Sequence, residues 1–376
     1  MIGHKRVPSR EGGVEIVVGE LSSRLDKKGV SVDIYNRKGN KLYNKEYKSS
    51  VAEFLNNNKN TRIFTIPTFN NGKLNAIVYS FLATVKAIFS KYDVIHFHAE
   101  GPCAMLWLPK FFKIKTVATI HGLDWQRAKW GGFATKFLKF GEKMAAKYAD
   151  EIIVLSKNVQ QYFRDTYNRE TIFIPNGITQ PEIKKANLIK ENFGLEKDEY
   201  ILFLARIVPE KGLHYLIEAY NHLKTEKKLV IAGSSSNTDT YFEKIKNMVN
   251  KNNKIIMTGF VYGEILEELY SNAYVYVLPS DIEGMPISLL EALSYDNCCL
   301  VSDISENTSV VGKNGAVFKK SDVNSLQENL ELLLKNEELV RNYKIDAGKY
   351  VCDNFSWDKV VNETLDVYKM VKGQKE

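Results

Sequence analysis

LPSDIEGMPISLLEAL, from Leu278 to Leu293, is the stretch on which the reading of the whole chain turns. It closes a hydrophobic strand (YVYVLP), passes through a polar loop with Glu283 and Gly284, and opens a helix near Pro286. Proline suits a first helical position, where a backbone N–H would go unpaired anyway. The free N–H groups at such a helix start, with the helix dipole, favour an anion. Glu291 follows Glu283 by eight residues, so one carboxylate stands in the loop and the other inside the helix. Both can then reach hydroxyls of one ligand whose phosphates rest at the helix start. The plainer alternative is a strand–loop–helix with two surface glutamates.

Working outward, β-branched runs alternate with longer amphipathic segments. Strands are expected at Val30–Tyr35, Arg62–Ile66, Val94–His98, Thr116–Ile120 and Glu151–Leu155, and again at Tyr200–Leu204, Lys228–Ala232, Lys254–Thr258, Tyr274–Leu278 and Cys299–Ser302. Helical patterns fall between them, among them Val14–Lys27, Thr135–Ala149 and Ile287–Ser294. This alternation predicts an α/β fold of parallel sheets with helices on both faces. The rhythm restarts after IPNGITQP (174–181), a connection bounded by proline and glycine. The expected division is therefore 1–176, 177–355 and a terminal helix over 356–376, which either ends the second domain or crosses back to the first.

A second motif follows the strand ILFLA, where Arg206 is followed by IVPE and then Lys211-Gly212 opens a helix. Two cations at the carboxyl end of the first strand of an α/β domain stand where such sheets bind ligands. A departing diphosphate needs positive charge, and Arg with Lys can supply it without a metal. No D-x-D occurs anywhere in the chain, so no metal site and no cofactor are expected. Alone, an Arg and a Lys in a solvated turn would be the ordinary reading.

Bulk properties agree with a globular protein of two domains. At 376 residues and 44% apolar content the chain is long enough for two cores and is not disordered. Residues 1–180 carry +13 (28 basic, 15 acidic) and residues 181–376 carry −6 (24 basic, 30 acidic). A basic half suggests an anionic partner surface or substrate. The four cysteines have no C-x-x-C spacing and read as reduced thiols. No signal-peptide core and no run of spanning length occurs, so a cytoplasmic protein is expected, either soluble or peripheral on the inner face of the plasma membrane.

Taken together, R-x-x-x-x-K-G, the glycine after a strand in TGFV and E-G-M-P-x-x-x-x-E resemble the second domain of the family-4 retaining glycosyltransferases. The likeness covers essentially the whole chain. It implies two Rossmann-like domains facing across a cleft (GT-B type), with the donor held mainly by the second. By that resemblance Arg206 and Lys211 would hold the diphosphate and Glu283 would bind sugar hydroxyls. Gly284, Met285 and Pro286 would line the backbone's approach to sugar and phosphate, and Glu291 would bind the ribose. Phe260 and Val261, after Gly259, would flank the base. In the first domain, PSREGGVE with Gly12-Gly13 resembles the family's glycine loop that nears the diphosphate, and resembles a bacterial polysaccharide subgroup with rhamnosyltransferases. Glycines there let backbone N–H groups approach phosphate. Only Met1-Ile2-Gly3 precedes His4, so the first strand is expected to be very short or cut into. His121, in TIHGLDW, would contact the transferred sugar near the reaction centre. His96 and His98 are read as structural, one on each face of their strand, with Glu100 a lesser acceptor-side candidate.

The resulting expectation is a retaining, metal-independent transferase moving a sugar from a nucleoside diphosphate to a glycan acceptor. A UDP-sugar is the first choice of donor and dTDP-rhamnose the second. The acceptor is expected to be lipid-linked, and nucleic acid is not a partner. An epimerase of the same fold and a non-catalytic nucleotide-sugar binder are the competing classes. Peripheral contact with anionic membrane is expected from RAKWGGFATKFLKFGEKMAAK (127–147) and KFFKIK (110–115), whose lysines interleave with aromatics. The competing reading makes those aromatics the helix's core face.

Overall fold

The structure is a computed structural model describing residues 1–38, 45–68, 72–127, 131–235 and 239–373. It divides into two compact units, Met1–Gly177 with Trp357–Glu376, and Ile178–Ser356. All strand pairs given below are parallel.

The first unit holds β1 (Val32–Arg37), β2 (Thr61–Ile66), β3 (Ile95–His98), β4 (Thr116–Ile120), β5 (Glu151–Val154) and β6 (Ile172–Phe173). β1 pairs with β2, and β3 to β6 pair in sequence order. Residues 1–5 join the two sets. The Tyr35 and Arg37 amides donate to the Met1 and Lys5 carbonyls (3.1 and 2.8 Å), while Ile2 exchanges bonds with His96 and His98 of β3 (2.9 and 2.8 Å). The first strand is thus present and very short. Gly3 makes this approach possible: its φ is +127°, and a Cβ there would lie 2.0 Å from the His98 carbonyl oxygen. Counting residues 1–5 as the first strand, the sheet order is 3-2-1-4-5-6-7.

The helix Trp357–Gly373 belongs to this unit. Its Val361 is fully buried against Val7, Val18, Leu21, Leu25, Val32 and Ile34, and Arg24 lies over the Trp357 ring at 5.2 Å. Each such aliphatic side chain contributes roughly 1.5–3 kcal/mol.

The second unit holds β7 (Tyr200–Leu204), β8 (Lys228–Ala232), β9 (Ile255–Gly259), β10 (Val275–Leu278), β11 (Cys298–Ser302) and β12 (Gly315–Phe318). Their order is β12-β11-β10-β7-β8-β9, which counted within the unit is 3-2-1-4-5-6. That is the order of dinucleotide-binding sheets, whose ligands lie where the order reverses, here between β7 and β10. Alternate residues feed two cores. Ile201, Phe203, Leu229, Ile231, Val275 and Val277 face one side, and Tyr200, Leu202, Val230, Tyr276, Leu278 and Val301 the other. Burial on both faces explains why these strands read as unbroken apolar runs.

Two details depart from expectation. Pro286 is the residue before the helix Ile287–Ser294, with extended backbone (φ −77°, ψ 105°), and is not its first helical residue. β6 and β12 were not foreseen. Among the described residues, no helix is long and apolar enough to cross a membrane.

Candidate functional site

The loops after β7 and β10 flank the point where the second unit's strand order reverses, and they are packed on each other. After β7 the chain passes Arg206, makes a short 3-10 turn over Pro209–Lys211, and reaches Gly212 at φ +66°. A Cβ on Gly212 would stand 1.9 Å from the Pro279 carbonyl oxygen of the β10 loop. Only glycine tolerates both that conformation and that contact. The Asp281 amide also donates to the Glu210 carbonyl oxygen at 2.9 Å, tying the loops a second time.

This packing brings two expected residues into contact. Lys211 Nζ lies 2.5 Å from Glu283 Oε1, with side chains only 12% and 7% exposed. The Ser280 hydroxyl donates to the same Glu283 oxygen at 2.6 Å. Ser280 is itself held from behind, because the Ser302 hydroxyl donates to its carbonyl oxygen and Asn307 Nδ2 donates to Ser302 Oγ. Glu283 is thereby fixed by one of its two oxygens. Glu291 lies on the helix that follows, and the buried Tyr270 hydroxyl donates to its Oε2 at 3.1 Å. Tyr270 stacks on Tyr295, with centroids 5.4 Å apart and 13° between the planes. Ser280 was visible within the quoted loop, three residues before Glu283. Tyr270 carries no local signal, since it reaches Glu291 only through tertiary packing.

Gly259 ends β9 at φ +75° with open space around it. After it, Phe260 and Tyr262 are exposed, their rings 6.3 Å apart, while Val261 packs inward with Met285 on the same core. The structure therefore pairs Tyr262, rather than Val261, with Phe260 on the surface.

In the first unit Gly12 caps the helix Gly13–Lys27 in extended conformation, and Glu15 reaches back so that its Oε1 accepts from the Lys5 amide at 2.8 Å. His121 follows β4 directly. Its Nε2 lies 3.1 Å from His98 Nδ1. Burial holds the His121 ring near a pKa of about 4, with Asp124 opposing and Arg127 reinforcing the shift. His96 and His98 do not face opposite ways: their rings stack at 4.1 Å. A strand's side chains alternate with period two, so residues two apart share a face.

Glu100 is fully buried, and burial, reinforced by the neighbouring Asp124 and Glu142, raises its pKa to about 11. Glu142 nearby accepts from Trp125 Nε1 (3.0 Å), Tyr162 (2.7 Å) and Tyr167 (2.5 Å), anchoring the segment that follows His121. Among the described residues no three His, Cys, Asp or Glu side chains gather to hold a metal ion.

Comparison with known proteins agrees with this layout. Residues 11–180 match the model of Glycosyltransferase Family 4, and residues 184–350 match that of Glycosyl transferases group 1. An uncharacterized glycosyltransferase of Methanocaldococcus jannaschii is 29% identical over 74% of this chain and 76% of its own. The UDP-Gal:alpha-D-GlcNAc-diphosphoundecaprenol alpha-1,3-galactosyltransferase of Escherichia coli is 24% identical over 82% and 83%. Anabaena Alr3699/HepE, solved in complex with UDP-glucose, superposes with a TM-score of 0.79 over 97% of this chain and 98% of its own, at 14% identity. With a family-4 match in its first half, a group 1 match in its second and two Rossmann-like parallel sheets, the chain belongs to the GT-B glycosyltransferases.

Proposed function

We propose that the chain transfers a sugar, with retention and without a metal, from a nucleoside diphosphate to a lipid-linked glycan in polysaccharide assembly. The observation that carries the proposal is the Lys211–Glu283–Ser280 contact at the strand-order reversal of the second unit. Lys211 has three N–H donors, so it can keep Glu283 and still bind a phosphate oxygen. Arg206 acts beside it, and the two hold the diphosphate and take up its charge as the sugar bond breaks. Glu283, fixed through Oε1, offers Oε2 to a sugar hydroxyl. Glu291, steadied by Tyr270, accepts from the ribose. The acceptor hydroxyl attacks from the face the diphosphate leaves, and a leaving phosphate oxygen takes its proton. Catalysis then rests on positioning and preorganised charge.

A UDP-sugar is the preferred donor, because the Escherichia coli relative uses UDP-Gal and the Anabaena structure holds UDP-glucose. The same Escherichia coli protein acts on a diphosphoundecaprenol-linked sugar, which favours a lipid-linked acceptor.

Membrane contact has support from side-chain exposure. On the helix Gly132–Tyr148 the inward face is Leu138, Gly141, Glu142, Met144 and Ala145, while Phe133 is 72% and Phe140 47% exposed. The aromatics are therefore not all on the core face. Phe111 (79%) and Phe89 (75%) are also exposed, each ring next to that of Phe112. Lys129 and Trp130 of the same stretch lie outside the described residues. Aromatics interleaved with lysines suit an anionic interface.

A donor panel of UDP-glucose, UDP-galactose, UDP-N-acetylglucosamine and dTDP-rhamnose, scored by nucleotide release with a lipid-linked glycan acceptor, tests the proposal. Turnover of at least one donor in EDTA is expected. No turnover of any, or a strict need for a divalent metal, opposes it.

A further inference from the structure

The buried His96 and His98 and the half-buried His121 stand towards the carboxyl edge of the first unit's sheet, beside its own strand-order reversal between residues 1–5 and β3. Of these only His121 has a role so far. His98 is 1% exposed, and its backbone is locked, since its amide donates to the Ile2 carbonyl and Gly3 packs on its carbonyl oxygen. Its ring is wedged against His96, which is fixed in turn by the Tyr368 hydroxyl on Nδ1 (2.6 Å) and Thr119 Oγ1 on Nε2 (2.7 Å). His98 Nδ1 reaches His121 Nε2 at 3.1 Å, and His98 Nε2 meets no partner among the described residues.

A neutral imidazole has one donor and one acceptor nitrogen. Both rings are neutral, because burial holds each well below the usual histidine range. The surrounding titratable groups do not reverse this. Around His98 stand His4, His96, His121 and the terminal ammonium, and around His121 stand Asp124 and Arg127. Two arrangements remain. If His121 Nε2 carries the proton and donates, His98 must bury an N–H on Nε2 with no acceptor. If His98 Nδ1 carries it and donates, only a lone pair is left unmet. Orphaned buried donors are the rarer of the two.

We propose that His98 is a positioning residue that donates Nδ1–H to His121 Nε2, fixing His121 as the Nδ1–H tautomer so that its ring offers the substrate a hydrogen-bond donor. The matching ligand group is an oxygen lone pair, such as that of a hydroxyl on the transferred sugar. This rests on reading His121 as a sugar contact. It also gives the paired histidines of VIHFHAE separate tasks: His96 wedges the ring and His98 sets the proton.

The test is long-range proton–nitrogen correlation on enzyme with ¹⁵N-labelled histidine, His121 being assigned from the signals lost in His121→Gln. The wild type should show His121 protonated on Nδ1 and bare on Nε2. His98→Asn, whose amide N–H can replace Nδ1–H, should keep that tautomer and near-normal turnover of the donor selected by the panel. His98→Leu, of similar size but without a donor, should move the proton to Nε2 and lower kcat roughly tenfold, the worth of one hydrogen bond, with KM little changed. A proton on Nε2 in the wild type overturns the proposal, and so does a His98→Leu enzyme with unchanged tautomer and turnover. Should His98→Leu fail to fold, the wild-type spectrum and His98→Asn still decide. Normal turnover in His121→Ala would instead overturn the sugar-contact reading, with the tautomer result standing apart.

Discussion

Lys211→Met is expected to lose stability and transfer together, for reasons that a second substitution separates. Glu283 is 7% exposed and, among the described residues, is left with the Ser280 hydroxyl once Lys211 is gone. Removing one partner of a buried ion pair costs about 3–5 kcal/mol, and the surviving hydrogen bond places this case near the low end. For a unit the size of 178–356, about 3 kcal/mol corresponds to a fall of roughly 6–12 °C in its melting temperature. The loss of transfer has another origin, namely a missing preorganised charge at the diphosphate, and should be about 10²–10³ in kcat. Adding Glu283→Gln to Lys211→Met removes the stranded charge. The double variant should regain most of the melting temperature and none of the rate. Calorimetry and steady-state nucleotide release read the two effects independently. A Lys211→Met enzyme that melts normally and turns over at near the wild-type rate refutes the reasoning.

Tyr270→Phe keeps the stack on Tyr295 but loses the bond to Glu291, so calorimetry should show UDP binding weakened roughly two- to tenfold; 2′,3′-dideoxy-UDP should bind both enzymes alike, and an equal loss on it would remove the ribose role. Glu283→Gln should weaken the sugar-bearing donor more than free UDP, whereas Glu291→Gln should weaken both; identical patterns would exchange or cancel the roles. Glu100 has its folded pKa raised to about 11, so the native state holds a proton that the unfolded chain releases above about pH 4.5. Its contribution is fully present below that value and declines as pH rises towards 11. Glu100→Gln should therefore gain stability over wild type increasingly from pH 6 to pH 9 in denaturant melts, and a pH-independent difference contradicts the assignment. Phe133→Ser with Phe140→Ser should reduce flotation with anionic liposomes at low salt, each exposed aromatic being worth up to roughly 1.5–3 kcal/mol when buried; unchanged flotation assigns those rings no membrane role.

The second unit was the more legible half. Its strands are buried on both faces, so five of six appear as apolar runs, and the Lys211-Gly212 and Glu283-Gly284 loops follow two of them directly. β12 was missed because it is only four residues long and opens with Gly315 and Ala316, residue types that carry no strand signal. Residues 1–5 and the two-residue β6 are too short for any period to show. The helix Lys157–Tyr167 hides in a polar segment and is declared mainly by Ser156, whose hydroxyl accepts from the Val159 amide. Within the site, the spacing of Glu283 and Glu291 was readable, but their supports were not. Tyr270 stands 21 residues from Glu291 and His98 stands 23 from His121; only strand pairing and helix packing bring them together. The error over His96 and His98 came from misapplying strand periodicity, and the stacked rings correct it.

The most direct test of the proposed chemistry is the configuration of the product. A donor with an α-linked sugar labelled with ¹³C at the anomeric carbon is incubated with acceptor in EDTA and followed by NMR from the first turnover. Same-face attack supported by Arg206 and Lys211 predicts an α-linked product with free nucleoside diphosphate released in step. A β-linked product, or transfer that appears only when a divalent metal is restored, contradicts it.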